Sequence, residues 1–174
     1  MSQSKSPENR LSATHSFALA EPDEFYQIRH FLKRHKTHGA NRDDWIFTVK
    51  LIHSDNNASE NKPLIGIARL LPVEDSITTL WLRGLFIAPE HRNQGIATAL
   101  LEFIHQQLVE DKHFESITNI AAFSETHLQL FYQQNHYQQL LAEQIEKELP
   151  PSLWQKFDNA SRNNKSWLCW QLTI

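Results

Sequence analysis

The sequence predicts an α+β fold, in which a twisted mixed β-sheet of about six to seven strands carries helices on both faces. Two observations support this fold class. Short segments rich in β-branched and aromatic residues alternate with amphipathic segments at helical spacing. The 174 residues, 40% of them hydrophobic, are also enough to bury a sizeable core. We expect a polar, disordered tail over residues 1–13 and one domain over residues 14–174.

The first half of the chain predicts one helix and four strands. A loosely alternating strand at residues 14–20 precedes a helix that opens at residues 22–24, where acidic side chains favour the positive helix end. Gly39 is a candidate helix stop. The buried face of this helix is expected at Phe25, Ile28, Phe31, Leu32 and His35. Further strands are expected at residues 45–52, 64–71 and 77–88, so the strands follow one another as a meander.

The second half predicts a long central helix followed by shorter elements. Its apolar face comprises Ala97, Leu100, Leu101, Ile104 and Leu108. Strands are expected at residues 117–123, 137–141 and 167–174, and a short helix at residues 125–134. Residues 143–165 read as an insertion, either a flap over an acceptor site or a short surface helix packed by its aromatic side chains.

Composition excludes several functional classes. The net charge of −3, the isoelectric point near 6.4 and the absence of clustered basic residues argue against nucleic-acid binding. The single cysteine, Cys169, excludes an intramolecular disulfide and fits a small buried hydrophobe better than a nucleophile. No apolar run is long enough for a membrane span, and the N-terminus lacks the apolar core of a signal peptide. We therefore predict a cytoplasmic protein that contacts neither membrane nor nucleic acid.

The most informative feature is a strand that runs into a helix through a one-glycine turn, at residues 80–101, LWLRGLFIAPEHRNQGIATALL. A helix start leaves backbone N–H groups unpaired at the positive end of the helix dipole, which favours a bound anion. Gly95 and the small Ala97 permit close approach, and Arg92 adds a fork of donors suited to phosphate. The pattern alone also fits ordinary turn chemistry. However, the sequence contains no dinucleotide or P-loop phosphate motif.

Taken with its context, this segment resembles the GNAT N-acetyltransferase superfamily. The signature Arg-x-x-Gly-x-Ala follows the approach LFIAPEHR at residues 85–92, after two strands that contain Gly66 and Gly84. The resemblance covers about residues 21–140 and implies that the turn binds the pyrophosphate of acetyl-CoA, a co-substrate used without a metal. The implied coenzyme-binding residues are Leu85, Phe86, Ile87, Arg92, Asn93, Gln94, Gly95, Ile96, Ala97, Thr98 and Glu125. Glu125 stands where many relatives carry an asparagine.

Backbone groups at the end of this strand are candidates for polarising the thioester carbonyl. If the sheet splays near Gly84, N–H groups at residues 85–87 are left unpaired and can stabilise an oxyanion while the strand pairs with the pantetheine arm. A fully laddered core strand is the alternative.

The segment FYQQNHY at residues 131–137 also resembles the superfamily and aligns Tyr132 with its tyrosine. A phenol with an ordinary pKa near 10 can protonate the departing coenzyme A thiolate as general acid. The alternative is a tyrosine that is merely packed on a short helix. His136 replaces the usual glycine, so the turn after this helix is expected to differ.

The sequence identifies no general base. The strand on which many relatives carry an acid has Trp81 and Arg83 instead. Either a water chain ends on another residue, or the amine arrives neutral; unranked candidates are Glu24, Asp44, Glu74 and His136. Arg69 and Arg83 are expected either to grip a carboxylate or phosphate of the acceptor or, as the favoured alternative, to form a solvated or ion-paired face.

The resemblance implies an N-acetyltransferase that works by direct attack of an acceptor amine in a ternary complex, with a small molecule favoured over a protein as acceptor. A non-catalytic acyl-CoA sensor or interaction module is the alternative. Ten histidines do not indicate a metal site, because the neighbouring His30, His35 and His38 share no complete ligand set. An exposed edge strand allows a homodimer.

Overall fold

The computed structural model describes residues 14–52, 62–162 and 166–174. Over these residues it shows a mixed, open sheet of seven strands with five α-helices, which confirms the predicted α+β class. The tail predicted over residues 1–13 lies outside the described residues. The single domain predicted over residues 14–174 stays a prediction.

The bounds of most elements lie within a few residues of the predicted ones. The strands are β1 (His15–Leu19), β2 (Trp45–Leu51), β3 (Leu64–Val73), β4 (Ser76–Ile87), β5 (Asn119–Glu125), β6 (Gln138–Leu140) and β7 (Trp167–Thr173). The α-helices are α1 (Phe25–Arg34), α2 (Ile96–Glu110), α3 (Gln129–Gln134), α4 (Ala142–Glu148) and α5 (Pro151–Ser161). Single 3₁₀ turns lie at Pro22–Glu24, Pro89–His91, Lys112–Phe114 and Thr126–Leu128.

The strands follow the order β1-β2-β3-β4-β5-β7-β6. β2, β3 and β4 are neighbours in chain order, as the predicted meander requires, and β1 pairs with β2 in antiparallel fashion. β4 and β5 are parallel, and the chain between them contains α2, because a parallel pair needs a long crossover. β7 lies between β5 and β6 and is antiparallel to both.

The described residues form two compact units. The first comprises the residues up to Arg69 and residues 84–104. Its core includes one face of α1, where buried residues recur three and four positions apart as an amphipathic helix requires. That core cluster consists of Ile28, Phe31, Leu32, Ile46, Leu64, Ile67 and Ala88.

The end of α1 differs from the prediction. The helix stops at Arg34, well before Gly39, and Lys36 takes the left-handed conformation with φ of 51°. Two backbone hydrogen bonds close the turn, from Lys36 to Lys33 and from Thr37 to Leu32, both 3.1 Å. This is the paired bonding of a Schellman motif, in which a glycine usually stands at the left-handed position. The favourable closure outweighs the conformational cost of a lysine there.

The second unit comprises residues 70–83 and 105–174. It contains the insertion, which forms two helices, α4 and α5, rather than one surface helix. Mainly aliphatic side chains bury these helices. Of the aromatic side chains, Phe157 packs edge-on against Phe123, with ring centres 5.1 Å apart, whereas Trp154 stays exposed. The buried cluster consists of Val73, Ala121, Leu140, Ile145, Leu149, Leu153 and Cys169. The first turn of α5 is held by Asp75, which accepts hydrogen bonds from the Ser152 N–H (2.8 Å) and Oγ (2.7 Å). A flap function stays a prediction.

Candidate functional site

The end of β4 departs from regular strand geometry at Gly84, where φ is +75°. The parallel ladder with β5 ends at the pair Leu82–Ala122; over the described residues no further pair of this ladder reaches residues 85–87. Leu85 and Phe86 are half-buried and Ile87 is buried. The structure therefore places an irregular strand end where the sequence predicts the carbonyl-binding segment.

The predicted phosphate turn follows directly and is exposed. Pro89 to His91 form a 3₁₀ turn, and Arg92, Asn93, Gln94 and Gly95 are all exposed to solvent. Asn93 and Gly95 have positive φ values of 59° and 77°. The first N–H groups of α2 precede its hydrogen-bond ladder, which begins with Ala99 donating to Gly95 at 3.0 Å.

The first turn of α2 combines exposed backbone with an anchored side chain. Ile96 is buried, whereas Ala97 and Thr98 are half-buried. The buried isoleucine fixes the helix start against the core, so the donors before the ladder keep a defined direction. An anion at this point would meet an exposed, rigid set of N–H groups.

Arg92 is oriented by the strand that precedes it. Its Nε donates a hydrogen bond of 2.9 Å to the carbonyl of Ile87, and the guanidinium carbon lies 5.2 Å above the ring centre of Phe86. These two contacts fix the plane of the guanidinium. The Nε bond uses one of five N–H groups, and a phosphate typically binds the terminal nitrogens of such an arginine.

Tyr132 lies on α3 and is buried, with 5% of its surface exposed. Its ring stacks on Trp170, with ring centres 5.4 Å apart and planes 13° apart, and meets the ring of Tyr137 edge-on at 5.3 Å. Burial raises the pKa of the Tyr132 hydroxyl to about 12. The phenol therefore keeps its proton at neutral pH and can donate it in a hydrogen bond.

The turn after α3 keeps a glycine-like geometry without a glycine. His136 has φ of 67°, and Tyr137 and His136 donate to the carbonyls of Tyr132 (3.0 Å) and Gln133 (3.1 Å). Asn135 adds a side-chain bond of 2.7 Å to the Phe131 carbonyl. The Schellman bonds hold His136 in the left-handed position. That this turn differs from the turn of relatives with a glycine stays a prediction.

The surroundings of Tyr132 contain residues that the sequence reasoning missed. Trp170 is fully buried and its Nε1 donates a 2.8 Å hydrogen bond to the Oγ of Ser124. His105 Nε2 lies 3.5 Å from the Tyr137 hydroxyl, and burial, with the nearby His136, lowers the pKa of His105 to about 4. Local patterns could not reveal these contacts, because residues far apart in the chain make them.

Glu125 lies exposed at the end of β5, where its carboxylate is 3.6 Å from the Nδ1 of His127.

Of the four candidate general bases, two form ion pairs and two are exposed to solvent. Burial raises the pKa of Glu24, but hydrogen bonds from Lys50 and the Glu21 backbone outweigh this and hold that pKa below its usual value. Asp44 is ion-paired, and Glu74 and His136 are exposed. The geometry singles out no general base.

The two arginines considered for an acceptor have different surroundings. Arg69 is buried, with 2% of its surface exposed, and its Nη1 donates to the Oδ2 of Asp44 at 2.9 Å. Arg83 is exposed, and its guanidinium carbon lies 4.9 Å above the ring of Trp81. The structure therefore gives Arg69 the ion pair that the sequence offers as one alternative.

No three metal-binding side chains of His, Cys, Asp or Glu gather at one place in the described part of the chain. Among the three neighbouring histidines, His35 packs against aromatic rings, with ring centres 4.7 Å from Phe31 and 5.2 Å from Phe86.

Cys169 is buried, and burial raises the pKa of its thiol to about 12. Over the described residues, no helix is long and apolar enough to cross a membrane.

Comparison with known proteins agrees with this geometry. A family model described as an acetyltransferase (GNAT) domain matches residues 54–139. This range includes the end of β4, the turn at 92–95, α2 and Tyr132. No curated protein sequence matches the chain.

Solved structures with the same fold have low sequence identity. N-acetylglutamate synthase from Neisseria gonorrhoeae, complexed with coenzyme A and N-acetyl-glutamate, is 14% identical with a TM-score of 0.61; the alignment covers 92% of this chain and 35% of that chain. This chain thus spans about a third of the synthase. A GNAT-family acetyltransferase from Staphylococcus aureus Mu50 is 14% identical, with coverage of 91% and 98% and a TM-score of 0.59. The ribosomal-protein-S18-alanine N-acetyltransferase of Escherichia coli is 12% identical, with coverage of 92% and 94% and a TM-score of 0.57.

Proposed function

Because the chain belongs to the GNAT superfamily, we propose that it transfers an acetyl group from acetyl-CoA to an acceptor amine by direct attack within a ternary complex. The observation that carries the proposal is the exposed turn at residues 92–95 ahead of α2. Two positive-φ residues, Asn93 and Gly95, turn the backbone there. A helix begins at Ile96, and the first N–H groups of a helix have no partner within it.

In this proposal the coenzyme pyrophosphate binds at the turn. The backbone N–H groups from Asn93 to Thr98 and the guanidinium of Arg92 supply donors, and the helix dipole adds favourable charge. Gly95 is exposed and carries no side chain, so a phosphate can approach the backbone closely. The adjacent side chains of Gln94 and Thr98 offer further polar contacts.

The pantetheine arm would then follow the strand end. Residues 85–87 extend beyond the β4–β5 ladder, so their backbone groups are the candidates for pairing with the arm. An N–H group aimed at the thioester oxygen would stabilise the oxyanion that forms when the amine attacks. Removal of one preorganised donor of this type typically costs about 3 kcal/mol in activation free energy.

Tyr132 is the proposed general acid. When the tetrahedral intermediate collapses, the carbon–sulfur bond breaks and the thiolate takes a proton from the phenol. A phenol with pKa near 12 is a weaker acid than a free thiol. Complete transfer of the phenol proton to the thiolate is therefore unfavourable as long as the acceptor nitrogen keeps its own proton. We therefore infer that Tyr132 donates a strong hydrogen bond first and that proton loss from the nitrogen completes the exchange.

The acceptor amine must reach the thioester in its neutral form, because an ammonium group has no lone pair to attack with. No carboxylate singled out above is both unengaged and buried, so we infer that water carries the proton away or that the amine arrives neutral. One solved structure of similar fold is an N-acetylglutamate synthase complexed with N-acetyl-glutamate, and another is a ribosomal-protein-S18-alanine N-acetyltransferase. A small amine is the acceptor class that we propose here.

The experiment is calorimetry of acetyl-CoA binding to the purified protein, followed by detection of free thiol with a panel of amines. Micromolar binding and amine-dependent thiol release would support the proposal and identify the acceptor class. Binding without release from any amine would instead favour an acyl-CoA sensor. Absence of binding would overturn the role of the turn at residues 92–95.

A further inference from the structure

Three aromatic side chains among the described residues contact the ring of Tyr132, and one of them comes from the interior of the sheet. Phe131 is the adjacent residue on α3, and Tyr137 follows just beyond the end of this helix. Trp170 belongs instead to β7, and its indole lies almost parallel to the phenol, with ring centres 5.4 Å apart and planes 13° apart. Because α3 has only six residues, the helix alone is a weak support. The stacked indole is therefore the contact that ties Tyr132 to the sheet.

The indole of Trp170 is in turn held by a hydrogen bond. The Trp170 backbone is fixed in the sheet, where it pairs with Ala122 of β5 and Gln139 of β6. The backbone does not fix the plane of the indole, because the last side-chain torsion of an aromatic residue is soft. The Nε1 group donates to the Oγ of Ser124 at 2.8 Å, and this bond selects one orientation of the ring.

The hydroxyl of Ser124 is suited to accept this bond. An indole N–H can only donate, so its partner must accept. The Ser124 hydroxyl donates its own hydrogen to the carbonyl of Glu125 at 3.2 Å, which leaves its lone pairs for the indole. Ser124 is 3% exposed and Trp170 is 0% exposed. Loss of the hydroxyl would thus leave a buried N–H without an acceptor, which favours rotation of the ring.

We propose that Ser124 is a positioning residue: its hydroxyl sets the plane of Trp170, and the stacked indole sets the direction of the Tyr132 phenol. The inference rests on the proposed general-acid role of Tyr132. A general acid must lie within hydrogen-bonding reach of the atom that it protonates, here the thiolate sulfur. A displacement of about 1 Å can cost about 100-fold in rate. Ser124 should therefore affect the chemical step and leave the affinity for acetyl-CoA unchanged.

The test measures kcat by thiol release and the dissociation constant of acetyl-CoA by calorimetry, in the wild type and in Ser124→Ala. We expect kcat to fall by about tenfold, because the phenol is present but less well directed. The dissociation constant should stay the same. When Ser124→Ala is combined with Tyr132→Phe, which removes the phenol, kcat should fall no further than in Tyr132→Phe alone. A purely structural role would instead lower kcat by the same factor in both backgrounds, which would overturn the inference.

Thr48→Val is the matched control, because it also removes a buried hydroxyl. Thr48 is 1% exposed and lies on β2, where its Oγ1 donates to the Ala18 carbonyl at 3.3 Å. This variant should lose stability in urea denaturation, as Ser124→Ala does, and keep the wild-type kcat. Equal kcat in Ser124→Ala and the wild type would overturn the inference alone, as would an equal loss of kcat in Ser124→Ala and Thr48→Val. Absence of thiol release by the wild type with every amine would overturn the proposed function as well.

Discussion

The turn at residues 92–95 and the surroundings of Tyr132 differ in the chemical groups that they present: backbone groups in the turn, and side chains around Tyr132. In the turn, exposed backbone and two positive-φ residues, Asn93 and Gly95, create a surface of donors. Around Tyr132, other aromatic side chains pack against its ring, with Trp170 stacked on one face and Tyr137 edge-on. The first region would bind a charged group by its backbone, whereas the second would act through one side chain.

This difference separates binding from chemistry in the proposed reaction. A backbone site tolerates many side chains but not a change in chain conformation, because its donors are the peptide groups themselves. A buried phenol tolerates changes away from the side chains that orient it, but not the loss of its own hydrogen-bonding group. Substitutions in the two regions should therefore affect different constants.

The largest expected effect comes from Gly95→Glu. The substitution forces a non-glycine residue into φ of 77° and brings a carboxylate to the proposed pyrophosphate site, where it repels the phosphates. We expect acetyl-CoA binding to fall below detection in calorimetry. Gly39→Glu is the matched control, because a Cβ at Gly39 meets nothing within 4 Å, and it should bind normally. Retained affinity in Gly95→Glu would refute the placement of the phosphates.

Tyr132→Phe tests the other region. Loss of the hydroxyl removes the proposed acid, so kcat should drop by about 100-fold or more. The dissociation constant of acetyl-CoA should change little. The exposed Tyr26, with 69% of its surface accessible, supplies the control variant Tyr26→Phe, which should match the wild type. Equal turnover in Tyr132→Phe and wild type would exclude the general-acid role.

A pH effect on stability should come from the second region. The pKa of His105 in the folded protein, about 4, lies below its ordinary value of 6.5, so the unfolded chain binds a proton more readily between these values. The free energy of unfolding should thus fall as the pH drops from 7 towards 4, with no contribution from His105 above pH 7. Thermal melts of His105→Gln should show a shallower decline; parallel curves would contradict the assignment.

The smallest effect tests the two helix ends that lack a glycine. His136→Gly and Lys36→Gly each relieve a left-handed residue, so each should raise the free energy of unfolding by about 1 kcal/mol. Urea denaturation measures the change. His136→Gly should leave acetyl-CoA affinity unaltered, since the turn at 92–95 keeps its backbone. A loss of stability in both variants would show that the side chains make compensating contacts.

The sequence predicts the first region better than the second for a physical reason. A strand end, a glycine turn and a helix start are adjacent in the chain, so local preferences specify the order strand, turn and helix around Gly95. The positive φ of Asn93 carries a weaker signal, because asparagine adopts this conformation less readily than glycine. The seven-strand α+β sheet follows equally from local periodicity, whereas the strand order does not.

The surroundings of Tyr132 depend on residues brought together by folding. Trp170 stands 38 positions after Tyr132 and reads in the sequence only as part of an apolar closing strand. The buried ion pair of Arg69 is similar, because its partner Asp44 lies 25 positions earlier in the chain. No spacing rule reveals which edge of a guanidinium is occupied. Side-chain partners of this kind require coordinates.

The burial of Cys169 has a practical consequence for experiments. The chain contains one cysteine, which is 1% exposed, and burial raises the pKa of its thiol to about 12. A thiol reagent added to the folded protein should therefore react with released coenzyme A and spare the polypeptide. When β7 opens, the same thiol becomes labelled. The labelling rate without substrate would then report how often this part of the chain unfolds. The same reagent therefore measures both the release of coenzyme A and local unfolding.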